Sequence, residues 1–179
     1  MATVRRIVVT GGPGSGKTTL LDRLGAAGHE RSEEAGRGII RDQLAVGGAA
    51  LPWADPALFA ELMLCWELRN YRTAINGTVF FDRGLPDIVG YLRVEGLPVP
   101  AHMRTAARDF RYARRVFIAP PWPEIYRTDA ERAQTPELAR RTFEAMSETY
   151  ADYGYELVEL PKAPVHDRVR FLLNAIEER

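Results

Sequence analysis

Several features are scarce in this sequence of 179 residues, and each scarcity excludes a class of protein. The single cysteine, Cys65, excludes an intramolecular disulfide, and its place in an apolar helical pattern predicts a small core residue. Lys plus Arg and Asp plus Glu both number 24, so no positive field favours nucleic acid or an anionic membrane as a partner. The three histidines lack the spacing of metal ligands. Because there is no secretory signal and no apolar run long enough for a bilayer, we expect a cytoplasmic protein.

The sequence does contain a glycine-rich loop, which directly follows the apolar run 7–9. It matches G-x-x-x-x-G-K-[ST] without a mismatch, and the leucines at 20, 21 and 24 predict a helix after it. Glycines let backbone N–H groups turn around an anion, and the positive end of the helix dipole adds to the attraction. We predict that Lys17 reaches the β- and γ-phosphates of ATP as a catalytic residue and that Thr18 ligates Mg²⁺. The predicted nucleotide-binding residues are Gly11, Gly12, Pro13, Gly14, Ser15, Gly16, Lys17, Thr18 and Thr19.

Strands and helices alternate along the chain, which is typical of an α/β protein with a parallel sheet covered on both faces. With no repeat or linker, we expect a single domain over residues 1–179, with a lid at about residues 126–135. The predicted strands are 5–10, 29–32, 78–81, 116–118 and 155–160. Helices are predicted over 17–27, 33–46, 56–75, 86–94 and 100–111, from 136 onward, and over 165–176.

Two helix starts have a recognisable cap. Asp55 and Thr135 each precede a proline, so each is a predicted N-cap with proline at the first helical position. In the helix that follows Asp55, the residues that keep helical spacing are Leu58, Leu62, Cys65, Trp66 and Arg69.

Asp82 follows the apolar strand 78–81, at the edge of a parallel sheet where ligand crevices open. In a phosphate-loop protein such an acid can hold Mg²⁺, directly or through water, or can take the proton of an attacking hydroxyl. Arg83 can bind a phosphate or carboxylate of the substrate. The alternative is an Asp-Arg-Gly turn that merely ends the strand.

Two further groups of polar residues are candidates for the site. Glu34 and Arg37 share a helical face near the sheet edge and are predicted to bind substrate, whereas Arg41 on the same face is expected to be a surface residue. Arg127 and Arg132 lie in the predicted lid, where they would stabilise the transferred phosphoryl group. Salt-bridged surface residues and a solvated loop are the respective alternatives.

Five segments together resemble a known family: Gly11 to Thr19, Glu34 to Arg37, Phe81 to Gly84, Tyr153 to Pro161 and Val165 to Arg168. They look like the small bacterial "predicted ATPase" family, which is filed as an AAA-type domain and is similar to the kinase domains that phosphorylate ribosylnicotinamide. The resemblance implies a P-loop NTPase of the nucleoside/nucleotide-kinase type, with a five-stranded parallel sheet flanked by helices and a lid.

The same resemblance implies roles by position. Lys17 and Thr18 would serve ATP and Mg²⁺, Asp82 and Arg83 the transfer site, and the two arginines at 127 and 132 the lid. The chain lacks the Asp-Gly-aromatic-Pro-Arg segment of adenylate kinases and the Asn-Lys-x-Asp of GTPases. Asp82-Arg83-Gly84 also differs from the Glu-Arg-Ser of deoxynucleoside kinases, although both place an acid before an arginine.

These observations predict an ATP-dependent kinase that transfers the γ-phosphate of Mg-ATP to a small nucleoside- or nucleotide-like metabolite. A regulatory ATPase, with water as the acceptor, is one alternative. Another is a module that binds a nucleotide and signals its presence to a protein without turnover. The acceptor and the oligomeric state do not follow from the sequence.

Overall fold

The computed structural model describes residues 4–125 and 135–177, and the alternation of strands and helices is as the sequence predicts. The strands are β1 (Arg5–Gly11), β2 (Glu30–Arg31), β3 (Thr78–Asp82), β4 (Arg115–Ala119) and β5 (Glu156–Glu159). The helices are α1 (Lys17–Ala26), α2 (Ala35–Val46), α3 (Pro56–Thr73), α4 (Leu85–Val94), α5 (Ala101–Asp109), α6 (Pro136–Asp152) and α7 (Val165–Glu177). A short 3₁₀ turn, Pro123–Ile125, follows β4.

Within the described residues the strands form a five-stranded parallel sheet in the order β2-β3-β1-β4-β5. The register places Val9 of β1 opposite Asp82 of β3 and opposite Phe117 of β4. Because all the strands run in one direction, their carboxyl ends share one edge of the sheet. The loop after β1 and the residues after β3 therefore lie side by side.

The alternation of side chains along each strand divides the core between the two faces of the sheet. Ile7 and Val9 point to the face covered by α1 and α7, where Leu20 and Leu172 are fully buried. Val8, between them, points to the opposite face, which is covered by α2 to α6. The sheet is thus buried on both sides, as parallel sheets require.

Both predicted N-caps are confirmed. The Asp55 carboxylate accepts a hydrogen bond from the Leu58 N–H at 2.9 Å, and the Thr135 hydroxyl accepts one from the Leu138 N–H at 3.1 Å. None of the helices in the described residues combines the length and hydropathy needed to cross a membrane.

The predicted position of Cys65 in the core is wrong, because that side chain is exposed. Helix α3 buries a different sector, which contains Phe59, Met63 and Glu67 at intervals of four. Apolar side chains occur around most of this helix, so helical spacing alone does not select the face that packs against α4. Leu58 is 43% exposed for the same reason.

Candidate active site

The phosphate loop connects β1 to α1 and is closely packed at its two ends. Gly11 has φ 130°, and a Cβ there would lie 2.4 Å from the Ala119 carbonyl oxygen. Gly16, directly before α1, has φ 76°, in the left-handed region that favours glycine. Both positions therefore require glycine for the loop to take this path.

Lys17 is buried in this loop and is held by it. Its ammonium donates hydrogen bonds to the carbonyl oxygens of Gly11 at 3.0 Å and Gly12 at 2.7 Å, and to the Ser15 hydroxyl at 3.3 Å. Burial, with the neighbouring Arg83 charge, lowers the pKa of Lys17 to about 7. The ammonium is thus placed at the centre of the loop in a poorly solvated position.

A cavity of about 530 Å³, here called the loop cavity, opens over this loop. Thr18 and Thr19 are exposed at the first turn of α1 and line it, together with Arg37 from α2. Trp122 and Arg168 also line it. The predicted nucleotide-binding residues from Pro13 to Thr19 thus surround one space, while Gly11 and Gly12 lie behind it as packing and backbone contacts.

Asp82 ends β3, beside Val9, and is only 4% exposed. Its backbone N–H donates to the Ser32 hydroxyl at 3.1 Å, which fixes the end of the strand. Burial, with the neighbouring Glu34 charge, raises the pKa of Asp82 to about 6. Among the described residues no hydrogen-bond partner reaches its Oδ1 atom. An unpaired carboxylate oxygen is a hard ligand of the kind Mg²⁺ prefers, so the residues fit that metal.

Arg83 has a positive φ of 74°, which no other non-glycine residue in the described ranges shows. Its backbone N–H donates to the Val9 carbonyl oxygen at 3.0 Å, which ties this conformation to β1. The guanidinium lies 3.3 Å from Asp87 Oδ1 and 3.7 Å from Glu34 Oε1. Strained backbone of this kind concentrates at functional sites, where the surrounding structure enforces it.

Asp87, on α4, is a buried carboxylate that the sequence reasoning missed. It accepts hydrogen bonds from the Thr10 hydroxyl, from the Tyr150 hydroxyl at 2.5 Å and from the Gly84 N–H at 2.8 Å, in addition to its ion pair with Arg83. These donors come from β1, α6 and the start of α4. The signal for it was an acid in the first turn of a helix, four residues after an arginine.

The predicted substrate residues Glu34 and Arg37 lie together at the start of α2. Glu34 is the residue before the helix and pairs with Arg37 at 3.0 Å and with Arg83 on the other side. Arg37 faces the loop cavity. Arg41 is an exposed surface residue beside Asp42, as expected. Arg127 and Arg132, the predicted lid arginines, lie outside the described residues.

A second cavity of about 390 Å³, here called the inner cavity, lies between α2, α3, α4 and α6. Its walls are mostly apolar, with Trp53, Phe59 and Met146 among them. Pro13, Glu34 and Arg83 line both this cavity and the loop cavity. The two spaces therefore adjoin at the residues that follow β1 and β3. Asp82 is not among the described lining residues of either cavity, but it directly precedes Arg83, which lines both. The larger groove of about 890 Å³ beside β2 does not include the loop.

Two other buried charged residues were also missed. Glu67 lies on the core-facing side of α3, lines the inner cavity and is 2% exposed. Arg168 of α7 donates to the carbonyl oxygens of Ser15 at 3.2 Å and Gly16 at 3.3 Å, and so holds the loop in place beside the loop cavity. For Arg168 the signal was a charged residue at a position where the helical spacing of α7 predicts an apolar one. For Glu67 there was no such signal in the sequence, because helical spacing does not select the buried face of α3.

A family model described as an AAA domain, AAA_28, matches residues 6–168. The chain belongs to this family. A search of curated proteins finds no match.

Solved structures with the same fold include two kinases and a NadR protein. A deoxyadenosine kinase from M. mycoides, with dCMP and dCDP bound, aligns over 96% of this chain and 98% of its own at 13% identity, with a TM-score of 0.67. A NadR protein in complex with NR aligns over 98% of this chain but 50% of its own at 22% identity, with a TM-score of 0.71. A shikimate kinase from Acinetobacter baumannii, in complex with shikimate, aligns over 98% of this chain and 94% of its own at 17% identity, with a TM-score of 0.62. The chain therefore has the P-loop NTPase fold of these kinases.

Proposed function

We propose that this chain is a kinase that transfers the γ-phosphate of Mg-ATP to a small nucleoside- or nucleotide-like metabolite, with residues 1–179 acting as one domain. The observation that carries this proposal is the shared wall of the two cavities. Pro13, Glu34 and Arg83 line both the loop cavity and the inner cavity, so a phosphate group on the loop would face a second molecule in the inner cavity. Phosphoryl transfer needs such an in-line meeting of donor and acceptor.

On the donor side, the loop from Gly11 to Thr19 would hold the phosphates of ATP. Lys17 lies at the centre of this loop and would move its ammonium from the loop carbonyls to the β- and γ-phosphate oxygens. Thr18 would hold Mg²⁺ directly, and Asp82 would contact it through water, which leaves the Asp82 Oδ1 atom available as a base. When bound, Mg²⁺ neutralises charge on the phosphate oxygens.

On the acceptor side, Asp82 would accept the proton of the attacking hydroxyl. The new bond joins the acceptor oxygen to the γ-phosphorus, the bond to the β-phosphate oxygen breaks, and ADP leaves with that electron pair. Because burial raises the pKa of Asp82 towards neutrality, its carboxylate is a stronger base than an exposed one. Its Oδ1 atom has no competing hydrogen bond within the described residues.

The charged residues around Asp82 would orient the acceptor. Glu34 and Arg83 lie at the junction of the cavities and form an ion pair with each other, which limits the movement of both side chains. Arg37 extends the cationic wall on the donor side. For Arg127 and Arg132 we keep the prediction that they are catalytic lid residues, which would stabilise the transferred phosphoryl group.

A coupled assay of ADP release tests the proposal and separates it from an ATPase. Mg-ATP is supplied with and without nucleosides, nucleoside monophosphates and vitamin-like ribosides. We expect ADP release that depends on an added acceptor and yields a phosphorylated product. Equal ADP release without any acceptor would identify a hydrolase instead, and nucleotide binding with no turnover would identify a sensor module.

A further inference from the structure

The two adjoining cavities have opposite electrostatic character. Four cationic side chains line the loop cavity among the described residues, namely Lys17, Arg37, Arg83 and Arg168. The described lining of the inner cavity carries four carboxyl groups, those of Glu34, Glu67, Asp87 and Glu95. The single cation in that lining is Arg83, which Asp87 and Glu34 already neutralise at 3.3 and 3.7 Å.

This charge pattern bears on the acceptor, because a phosphate group needs cationic or N–H partners when it leaves water. In the inner cavity a phosphorylated ligand would meet carboxyl groups and a guanidinium with two acidic partners. The cost of placing a dianion there is not offset by a free cation among the described lining residues. An uncharged or cationic molecule meets no such penalty.

Glu67 supplies a specific recognition element in the same cavity. Its side chain is almost fully buried, and the neighbouring wall is built from Phe59, Met63 and Ile88. Within the described residues its hydrogen-bond partner is the amide of Asn70, at the long distance of 3.5 Å. A carboxyl group buried with so little pairing destabilises the fold, so its position is better explained by a ligand than by packing.

We propose that the acceptor is an unphosphorylated ring compound, uncharged or cationic, and that Glu67 binds an N–H or O–H group of its ring. Glu67 is then a specificity-determining residue, and phosphorylated acceptors are disfavoured because the described lining of the inner cavity offers a phosphate group no cation without acidic partners. This inference rests on the proposed function, since it names the class of acceptor for the same transfer reaction.

Matched pairs of acceptors test the charge argument. Adenosine, guanosine, cytidine, uridine, thymidine and ribosylnicotinamide are each compared with their own 5′-monophosphate. Binding is measured by titration calorimetry, and turnover by ADP release. We expect binding and turnover for at least one unphosphorylated member, with its monophosphate bound about a hundredfold more weakly. Equal or tighter binding of the monophosphates would overturn the inference.

The two readouts separate this inference from the proposed function. Binding of an unphosphorylated member without ADP release from any pair would contradict the kinase proposal and leave the charge argument supported. ADP release that is as fast with the monophosphates would support the kinase and contradict the charge argument. Absence of binding by every unphosphorylated member would overturn the inference.

Substitutions at Glu67 test its role in recognition. Glu67→Met keeps the volume but removes the hydrogen bond, and we expect KM for the acceptor to rise about tenfold or more with little change in kcat or in KM for ATP. Glu67→Gln keeps a hydrogen-bonding side chain, so its KM for the acceptor should rise less than that of Glu67→Met. The control is Glu61→Met, on the exposed side of the same helix beside His102. An unchanged acceptor KM in Glu67→Met, with the fold intact by circular dichroism, would overturn the role of Glu67.

Discussion

At the scale of single residues, Asp82 illustrates a conflict between stability and chemistry. Its carboxyl group is buried beside Glu34, which raises its pKa above the ordinary value of 3.8. The folded protein therefore binds this proton more tightly than the unfolded chain does. Stability falls as the pH rises from about 4 through about 6, and the whole penalty is present above that range.

Replacing Asp82 by Asn should thus stabilise the protein while it inactivates it. At pH 7.5 we expect the free energy of unfolding to rise by about 1–3 kcal/mol, since a shift of one pKa unit corresponds to about 1.4 kcal/mol. The acceptor-dependent kcat should fall about a hundredfold or more with the loss of the base. Urea unfolding and ADP release measure the two effects.

The stabilising effect of Asp82→Asn should shrink as the pH falls from about 6 to about 4, where the folded carboxyl group is protonated and the unfolded one begins to be. Asp109→Asn, at an exposed site in α5, is the matched control and should change neither quantity. Full activity in Asp82→Asn would contradict the role of this residue as the base.

Arg83 has a strained backbone conformation and also forms ion pairs, and two substitutions separate the contributions of these two features to stability. Arg83→Ala and Arg83→Gly both remove the contacts with Asp87 and Glu34. At φ 74° the Cβ of alanine still clashes with the backbone, whereas glycine has no Cβ. The free energy of unfolding should therefore be about 1 kcal/mol higher for Arg83→Gly than for Arg83→Ala. Equal urea midpoints for the two variants would contradict backbone strain at this position.

At the scale of elements, a buried polar contact joins α6 to α4 below the inner cavity. The Tyr150 hydroxyl donates to Asp87 at 2.5 Å, and the ring is fully buried. Tyr150→Phe should destabilise the protein by about 2 kcal/mol, because a hydrogen bond to a buried carboxylate is lost without a replacement. Tyr153→Phe, at the end of the same helix and partly exposed, is the control. Thermal unfolding measures both, and similar melting temperatures would show that the contact contributes little.

The elements also show how far the sequence alone could be interpreted. Strands β1, β3 and β4 are short apolar runs, and caps such as Asp55 mark helix starts, so local chemistry was enough to place them. The buried face of α3 was not predictable, because that choice depends on how α3 packs against α4. For this reason Cys65 is exposed, contrary to its predicted core position, and Glu67 is buried.

At the scale of the whole molecule, ATP binding should be linked to protonation of the site. Burial lowers the pKa of Lys17 to about 7 in the free protein, and bound phosphate would raise it again. Between pH 7.5 and 9, where phosphate groups with a pKa of about 6 no longer titrate, binding should therefore take up a proton. We expect the Kd for ATP to rise by up to tenfold per pH unit over this range.

Calorimetry in buffers of different ionisation enthalpy measures that proton uptake directly. The guanidinium of the Lys17→Arg variant stays charged over this pH range, so this variant should bind ATP without taking up a proton. A Kd that does not change over this pH range, together with zero proton uptake, would contradict the low pKa of Lys17.

The sequence by itself determined the phosphate loop, the order of strands and helices, and Asp82 as the acid at the end of a strand. These depend on residues that are neighbours in the chain, whose spacing is visible without the fold. The tertiary structure decided what surrounds that acid: the network of Asp87, the buried Glu67 and the support of the loop by Arg168. Asp87, Glu67 and Arg168 come from three different helices, α4, α3 and α7, and only the packing of these helices on the sheet brings them together. Their burial, which sets their charge and chemistry, is a property of that packing and not of local sequence.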